Sequence, residues 1–176
     1  MRLKEKQLNA RKEIAKKLGV SLMCVPVLSK VTVNVGIGQF KESKDIIESI
    51  EKQLMQVTSQ KPKKTIAKKS IAGFKVREGQ HIGFVVTLRA GKMWDFVERL
   101  NTVVLARSRE FEGIDKKVID KNNNLTIAIK DQIIFPEIKP DDIKANWGMA
   151  ITLTLKNAQN NDLVIDFLKQ IGFVFK

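Results

Sequence analysis

Four runs of this chain alternate apolar and polar residues with the period of an extended strand. In "KVTVNVGI", residues 30–37, Val31, Val33, Val35 and Ile37 fall on one face and Thr32, Asn34 and Gly36 on the other. "IGFVVTLR", residues 82–89, sets Ile82, Phe84, Val86 and Leu88 against Gly83, Val85, Thr87 and Arg89. "LTIAIK" (125–130) and "MAITLTLK" (149–156) repeat the pattern, with Thr126, Ala128, Lys130, Ala150, Thr152, Thr154 and Lys156 on their polar sides. Between these runs the apolar period lengthens to that of a helix. Residues 3–18 offer a thin apolar face of Leu3, Leu8, Ile14, Ala15 and Leu18, closed by Gly19. Ile47, Ile50, Leu54 and Val57 follow Ser43, an N-cap residue type with Glu42, Asp45 and Glu48 near the positive end of the helix dipole; Pro62 places the end near Gln60. Met93, Phe96, Val97, Leu100 and Val104 predict a helix over "GKMWDFVERLNTVVLARS". A last short helix carries Leu163, Val164, Phe167, Leu168 and Ile171, with Asp162 as its cap and Gly172 at its C-terminus.

The strands are too many for a strict strand–helix repeat, so the pattern predicts an α+β fold: a single mainly antiparallel sheet with helices packed on one face. The other face is open. Its four strands turn Thr, Asn, Gly and Ala outward and place an Arg or Lys at the margin, which suits the close approach of a ribose-phosphate backbone or a shallow RNA minor groove. A solvated threonine-rich strand face would account for any one of these strands alone.

Charge sharpens the picture. The 176 residues carry a net +13, and the excess sits in two blocks: residues 1–30 hold eight basic and two acidic residues, and Lys61 to Arg77 hold seven basic and none acidic. Such self-repulsion weakens a fold unless a polyanion neutralises it, and the common intracellular polyanion is nucleic acid. At this length one domain is expected, burying about 70% of its unfolded surface. The longest apolar stretch, Leu22 to Leu28, is far short of the roughly 20 residues of a spanning helix, and the N-terminus does not read as a secretory signal. No membrane association is expected. Cys24, the single cysteine, excludes an intramolecular disulfide and reads as a small core hydrophobe.

Catalytic raw material is scarce. There is one histidine, His81, which reads as a loop or strand-edge residue, and no tyrosine; the carboxylates show no paired spacing. "NVGIGQF" starts like a dinucleotide loop, but Lys41 stands at the third glycine position, and Gly79 is followed by Gln80 where a phosphate loop requires Lys. No catalytic residue, metal site or cofactor is assigned, and an enzyme is not expected.

In the second basic block, "KPKKTIAKKSIAGFKVREGQ", glycines and one aromatic interrupt the lysines. Residues 61–80 therefore read as a projecting hairpin whose tip, with Phe74 among Lys75 and Arg77, presents a flat surface to a base or sugar. Here the residues carry a resemblance. "KVTVNVGIG", "SQKPKKTIAKKSIAGFKVREGQHIGFVVTLR", "REFEGI", "IKDQIIFPEI", "GM-ITL-" and the terminal "GFVF", in that order and spacing, are similar to the large-subunit ribosomal protein five (L-five) family, over nearly the whole chain.

The resemblance implies a single RNA-binding ribosomal domain spanning 1–176. It also implies a cytoplasmic, structural place in the central protuberance of the large subunit as a monomer within the ribosome. The implied partners are 5S rRNA, large-subunit rRNA, P-site tRNA and a small-subunit head protein at an intersubunit bridge. Carried over residue by residue, Asn34, Gln60, Lys61, Thr87 and Arg89 match 5S rRNA contacts, and Ser70, Gly73, Phe74, Lys75 and Arg77 match the tRNA-facing loop, residues 70–80. Residues 107–124 and 136–146 are the expected bridge segments. The chain departs from the family's "LPRIRDF" with "LARSREF", so Ala106 and Ser108 put the path of the following loop in doubt; Trp94 stands where Tyr is commoner. Two other classes compete on the sequence. A basic helix on a membrane surface needs an amphipathic stripe with Trp or Phe, which residues 1–18 lack, and an RNA-processing enzyme needs an acid or histidine site that is not visible.

Overall fold

The computed structural model describes residues 3–40, 43–108, 111–157 and 161–176, without the side chains of Lys4 and Lys6. Glu42, and Arg109 and Glu110 of "REFEGI", lie outside the described residues. Five strands, β1 (Val27–Gly36), β2 (Lys63–Ile66), β3 (His81–Leu88), β4 (Leu125–Ile129) and β5 (Met149–Lys156), form one antiparallel sheet in the order β2-β3-β1-β5-β4. Four helices accompany them: α1 (Leu3–Leu18), α2 (Lys44–Thr58), α3 (Ala90–Arg99) and α4 (Asn161–Gln170). The α+β class read from the pattern holds.

The alternation works as predicted. Val31, Val33, Val35 and Ile37 are fully buried, as are Phe84, Leu88, Leu125, Ile151 and Leu153. Of the residues facing the other way, Asn34, Thr126 and Ala128 are exposed, and Thr32, Val85, Thr87, Ala150, Thr152 and Thr154 are half-buried. β2 was not predicted. Its four residues, KKTI, have too little apolar content to signal a strand, and it forms because the backbone of β3 pairs with it, Lys63 opposite Val85.

The chain gathers into two compact units. Unit 1 comprises the chain up to Val31, Leu88–Ile127 and the chain from Thr152; α1 packs against α3 and α4. α3 does not stop at Arg99. It continues through a π-helical turn, Leu100–Val104, into Leu105–Arg107, so the predicted long helix is real but changes its winding. The α4 terminus follows the glycine reading. Gly172 takes φ +107, its N–H donates to the Lys169 carbonyl, and an added Cβ would lie 2.6 Å from Asn101 Nδ2. Asp162 is not its cap, because the helix already includes Asn161.

Two further expectations fail in unit 1. α1 buries Leu3, Gln7, Ala10 and Ile14, while Leu8 and Leu18 stay exposed. The buried stripe contains a polar residue, so a purely apolar stripe lies rotated by one position from the true one. Cys24 is exposed, because a 3₁₀ turn over Leu22–Cys24, with Ser21 at its N-cap, faces Met23 and Cys24 outward before β1 begins.

Unit 2 comprises Thr32–Thr87 and Ala128–Ile151. α2 contributes Ile50, Leu54 and Val57 to its core. Ser43 occupies the N-cap position without a side-chain cap, and the helix ends at Thr58, with Ser59 in the left-handed conformation. The core also holds a polar network that apolar periodicity does not signal. The Trp147 indole N–H donates to Gln53 Oε1 at 2.9 Å, Gln53 Nε2 donates to the Asp142 carbonyl at 3.0 Å, and Gln132 bonds both Ala145 O (2.8 Å) and the Trp147 N–H (2.9 Å).

Candidate nucleic-acid interface

The turn from α2 to β2 is a fixed corner. Thr58, 1% exposed, directs its hydroxyl to the Leu54 carbonyl (2.7 Å) and to the Gln60 carbonyl (3.1 Å). Ser59 then reverses the chain at φ +52, and buried Pro62 leads into β2. This geometry brings Gln60 against β3: its Nε2 donates to the Thr87 carbonyl at 3.2 Å. The amide nitrogen is thus engaged with the fold, which points Gln60 Oε1 to its remaining role as an acceptor. Lys61 is exposed beside it.

Asn34 lies on β1, the neighbour of β3, between Val33 and Val35, both fully buried. Strand geometry therefore fixes its side chain on the polar face. Thr87 is half-buried on β3, and Arg89 follows it in extended backbone (φ −140, ψ 163) as the exposed N-cap residue of α3. The structure brings Gln60 and Thr87 into direct contact. It leaves Asn34 on the adjacent strand and places Arg89, with Leu88, in the segments of unit 1. One position keeps this face low. A Cβ added to Gly83 would sit 2.7 Å from the Val35 carbonyl oxygen and 2.9 Å from Thr65 Oγ1, so no side chain fits there.

The basic block forms the β2–β3 hairpin. Its register breaks between Thr65 and Ile66, after which Ala67 and Gln80 close the stem (2.8 Å). Within the loop a second small hairpin pairs Ile71 with Val76 around a 3₁₀ turn, Ala72–Phe74, and Lys75 takes φ +49. Ser70 Oγ donates to the Val76 carbonyl at 3.2 Å and the Arg77 N–H to Gln80 Oε1 at 3.1 Å. The tip places Phe74 at 73% exposure, with Gly73, Lys75 and Arg77 also exposed. Beside them lies a groove of about 650 Å³ lined by Ala67, Ile71, Phe74 and Val76, with Lys68 and Lys69 on its wall. At the stem, Lys64 is held 3.3 Å from Glu51 of α2. His81 opens β3, its Nε2 2.8 Å from the Gly83 carbonyl oxygen.

The two segments expected at a bridge are differently built. In residues 107–124, Ile114 forms an isolated parallel bridge with Phe175, and Lys176 Nζ lies 2.7 Å from Glu112, holding that carboxyl below its ordinary range. In residues 136–146, a 3₁₀ turn over Pro140–Asp142 presents the Asp142 carbonyl to Gln53. Among the described residues, no group of His, Cys, Asp and Glu is arranged to hold a metal ion, and no helix is long and apolar enough to cross a membrane.

A low polar strand face, a fixed amide beside it and a cationic hairpin are features of the structural proteins that pack against RNA. Comparison with known proteins makes the class specific. Residues 21–77 match the family described as ribosomal protein L5, and residues 81–175 match the C-terminus of that ribosomal family. The chain is 41% identical over 165 residues to large ribosomal subunit protein uL5 of Colwellia psychrerythraea strain 34H, covering 93% of this chain and 91% of that protein. This chain belongs to the ribosomal protein L5 family, whose members are structural and not enzymes.

Sequence reasoning missed Thr58, the buried hydroxyl that sets the Gln60 corner. The signal available was "TSQKP", a Thr and a Ser just ahead of a proline.

Proposed function

We propose that this protein, a constituent of the large ribosomal subunit in the cytoplasm, attaches 5S rRNA there through the polar face around Asn34, Gln60, Lys61, Thr87 and Arg89. The observation that carries this reading is the Gln60–Thr87 hydrogen bond beside outward-facing Asn34. It holds the Gln60 amide against the Thr87 backbone carbonyl, while the strand backbone sets the Thr87 hydroxyl and the Asn34 amide on the neighbouring polar face, where 2′-hydroxyls and base edges can meet them. Lys61 and Arg89 supply the charge that favours approach of phosphate.

The hairpin loop is a separate surface in this reading. Ser70, Gly73, Phe74, Lys75 and Arg77 contact P-site tRNA, Phe74 by stacking and the cations through phosphates. Residues 107–124 and 136–146 meet a small-subunit head protein at an intersubunit bridge, and large-subunit rRNA completes the surroundings.

Filter binding with purified 5S rRNA and an unrelated RNA of equal length tests the first surface. Asn34→Ala and Thr87→Ala should each cut selectivity for 5S rRNA, and full selectivity in both would refute the assignment. Affinity should fall with salt, the log–log slope steepening by about 0.9 per duplex phosphate or 0.7 per single-stranded one. Cosedimentation of the variants with large subunits at moderate salt reads the same surface in its assembled setting.

A further inference from the structure

Residues 1–30 carry the first of the two basic blocks, and neither the strand face nor the hairpin loop uses it. From Arg11 to Lys30 the block holds five basic residues and one acidic residue, Glu13. The same stretch leaves three large apolar side chains in solvent: Leu18 at 44% exposure, Val20 at 42% and Met23 at 76%. Met23 is not on a loose loop. It sits in the 3₁₀ turn Leu22–Cys24, which the Cys24 N–H closes onto the Ser21 carbonyl (2.9 Å) and which buried Val25 follows. Two side chains of unit 1 hold the turn's carbonyls: Arg11 Nη2 donates to Leu22 O at 2.6 Å, and Asn157 Nδ2 donates to Met23 O at 2.7 Å. The Asn157 bond joins residues 134 positions apart, so the backbone under Met23 is fixed while its side chain is bare. An exposed apolar side chain on a held backbone needs little further ordering when a partner covers it.

We propose that this turn is a contact for large-subunit rRNA, with the Met23 thioether packed on the face of one unstacked base and Lys16, Lys17 and Lys156 on the flanking phosphates. The three lysines are exposed, two in the last turn of α1, which packs against the 3₁₀ turn, and one next to Asn157 in the chain. Their charge selects a polyanion over a second copy of this basic chain. A base offers an aromatic face to the polarisable sulfur, and methionine is among the apolar side chains that wedge between bases. The inference rests on the 5S rRNA reading in one respect: a protein that attaches one RNA to a larger one needs a contact for each, and Asn34, Gln60, Lys61, Thr87 and Arg89 supply the first.

The test follows incorporation of the full chain, with and without 5S rRNA, into large subunits depleted of it. Met23→Ser should leave 5S rRNA binding and the melting temperature unchanged and weaken incorporation roughly tenfold, the effect of one apolar side chain no longer covered. Met23→Leu, which keeps the apolar volume, should restore most of that loss. The double change Lys16→Ala and Lys17→Ala should instead flatten the log–log salt slope of incorporation by about 1.4–1.8, for two phosphates. Cys24, exposed and next to Met23 in the chain, reports coverage directly: its alkylation by N-ethylmaleimide should be largely lost in the assembled subunit and kept in the complex with 5S rRNA alone. Unchanged incorporation of Met23→Ser would overturn the proposal, as would protection of Cys24 by 5S rRNA alone. Unaltered 5S rRNA selectivity in the Asn34 and Thr87 variants would strike the other reading and leave this readout in place.

Discussion

Two exposed connections of unit 2 are held in opposite ways. The loop of the β2–β3 hairpin is shaped mainly by its own backbone: the Ile71–Val76 pair, the 3₁₀ turn after Ile71 and the Ala67–Gln80 and Ala67–Gly79 bonds. The connection from β4 to β5 is held by buried side chains: Gln53 and Gln132 bond its Asp142 and Ala145 carbonyls and its Trp147 N–H, and the Trp147 indole donates to Gln53. The difference has a functional consequence. A loop whose backbone satisfies itself can turn Phe74, Lys75 and Arg77 outward, whereas a loop pinned by its side chains commits them to the fold.

The strongest way to break this contrast is Gln132→Leu. It leaves the buried Trp147 N–H and the Ala145 carbonyl without partners, and should cost about 2–4 kcal/mol in denaturant unfolding. Next comes Gly83→Ala at the hairpin's anchor strand, where the new Cβ would clash with backbone of β1; a loss of about 1–3 kcal/mol is expected in the same assay. By contrast, the double change Lys75→Ala and Arg77→Ala should move stability by less than about 0.5 kcal/mol. It should spare 5S rRNA binding while weakening tRNA-dependent steps, and loss of 5S rRNA binding would merge the two surfaces into one.

The smallest effect concerns a turn held by a carboxylate. Asp120 accepts from the Asn122 and Asn124 N–H groups and the Asn124 side chain. Desolvation pushes its pKa up, but these hydrogen bonds outweigh it, and the carboxyl lies below its ordinary value of 3.8. A lowered folded value means that the contribution is complete above the unfolded value and fades as pH falls through the folded one. Acid titration of thermal stability should therefore be slightly flatter below about pH 4 in Asp120→Asn than in the parent.

Legibility followed the kind of signal. The four alternating strands stood out because burial on one face forces period two, and Asn34 was placed correctly by that rule alone. Composition groups Gly73, Phe74, Lys75 and Arg77, the resemblance adds Ser70, and the hairpin holds all five in one loop. β2 escaped because it borrows its pairing from β3. Cys24 and the α1 stripe misled because residue type predicts burial only on average, and Gln7 shows a polar residue taking an interior position.

By itself the sequence determined the class of fold, the sign and location of the charge and the outward face of each strand, since periodicity and charge are local properties of the chain. Tertiary structure alone decided which distant groups meet. Gln60 reaching Thr87 and Gln53 reaching Trp147 both depend on how the backbone returns on itself, and hydrogen-bond complementarity between remote segments leaves no period to read.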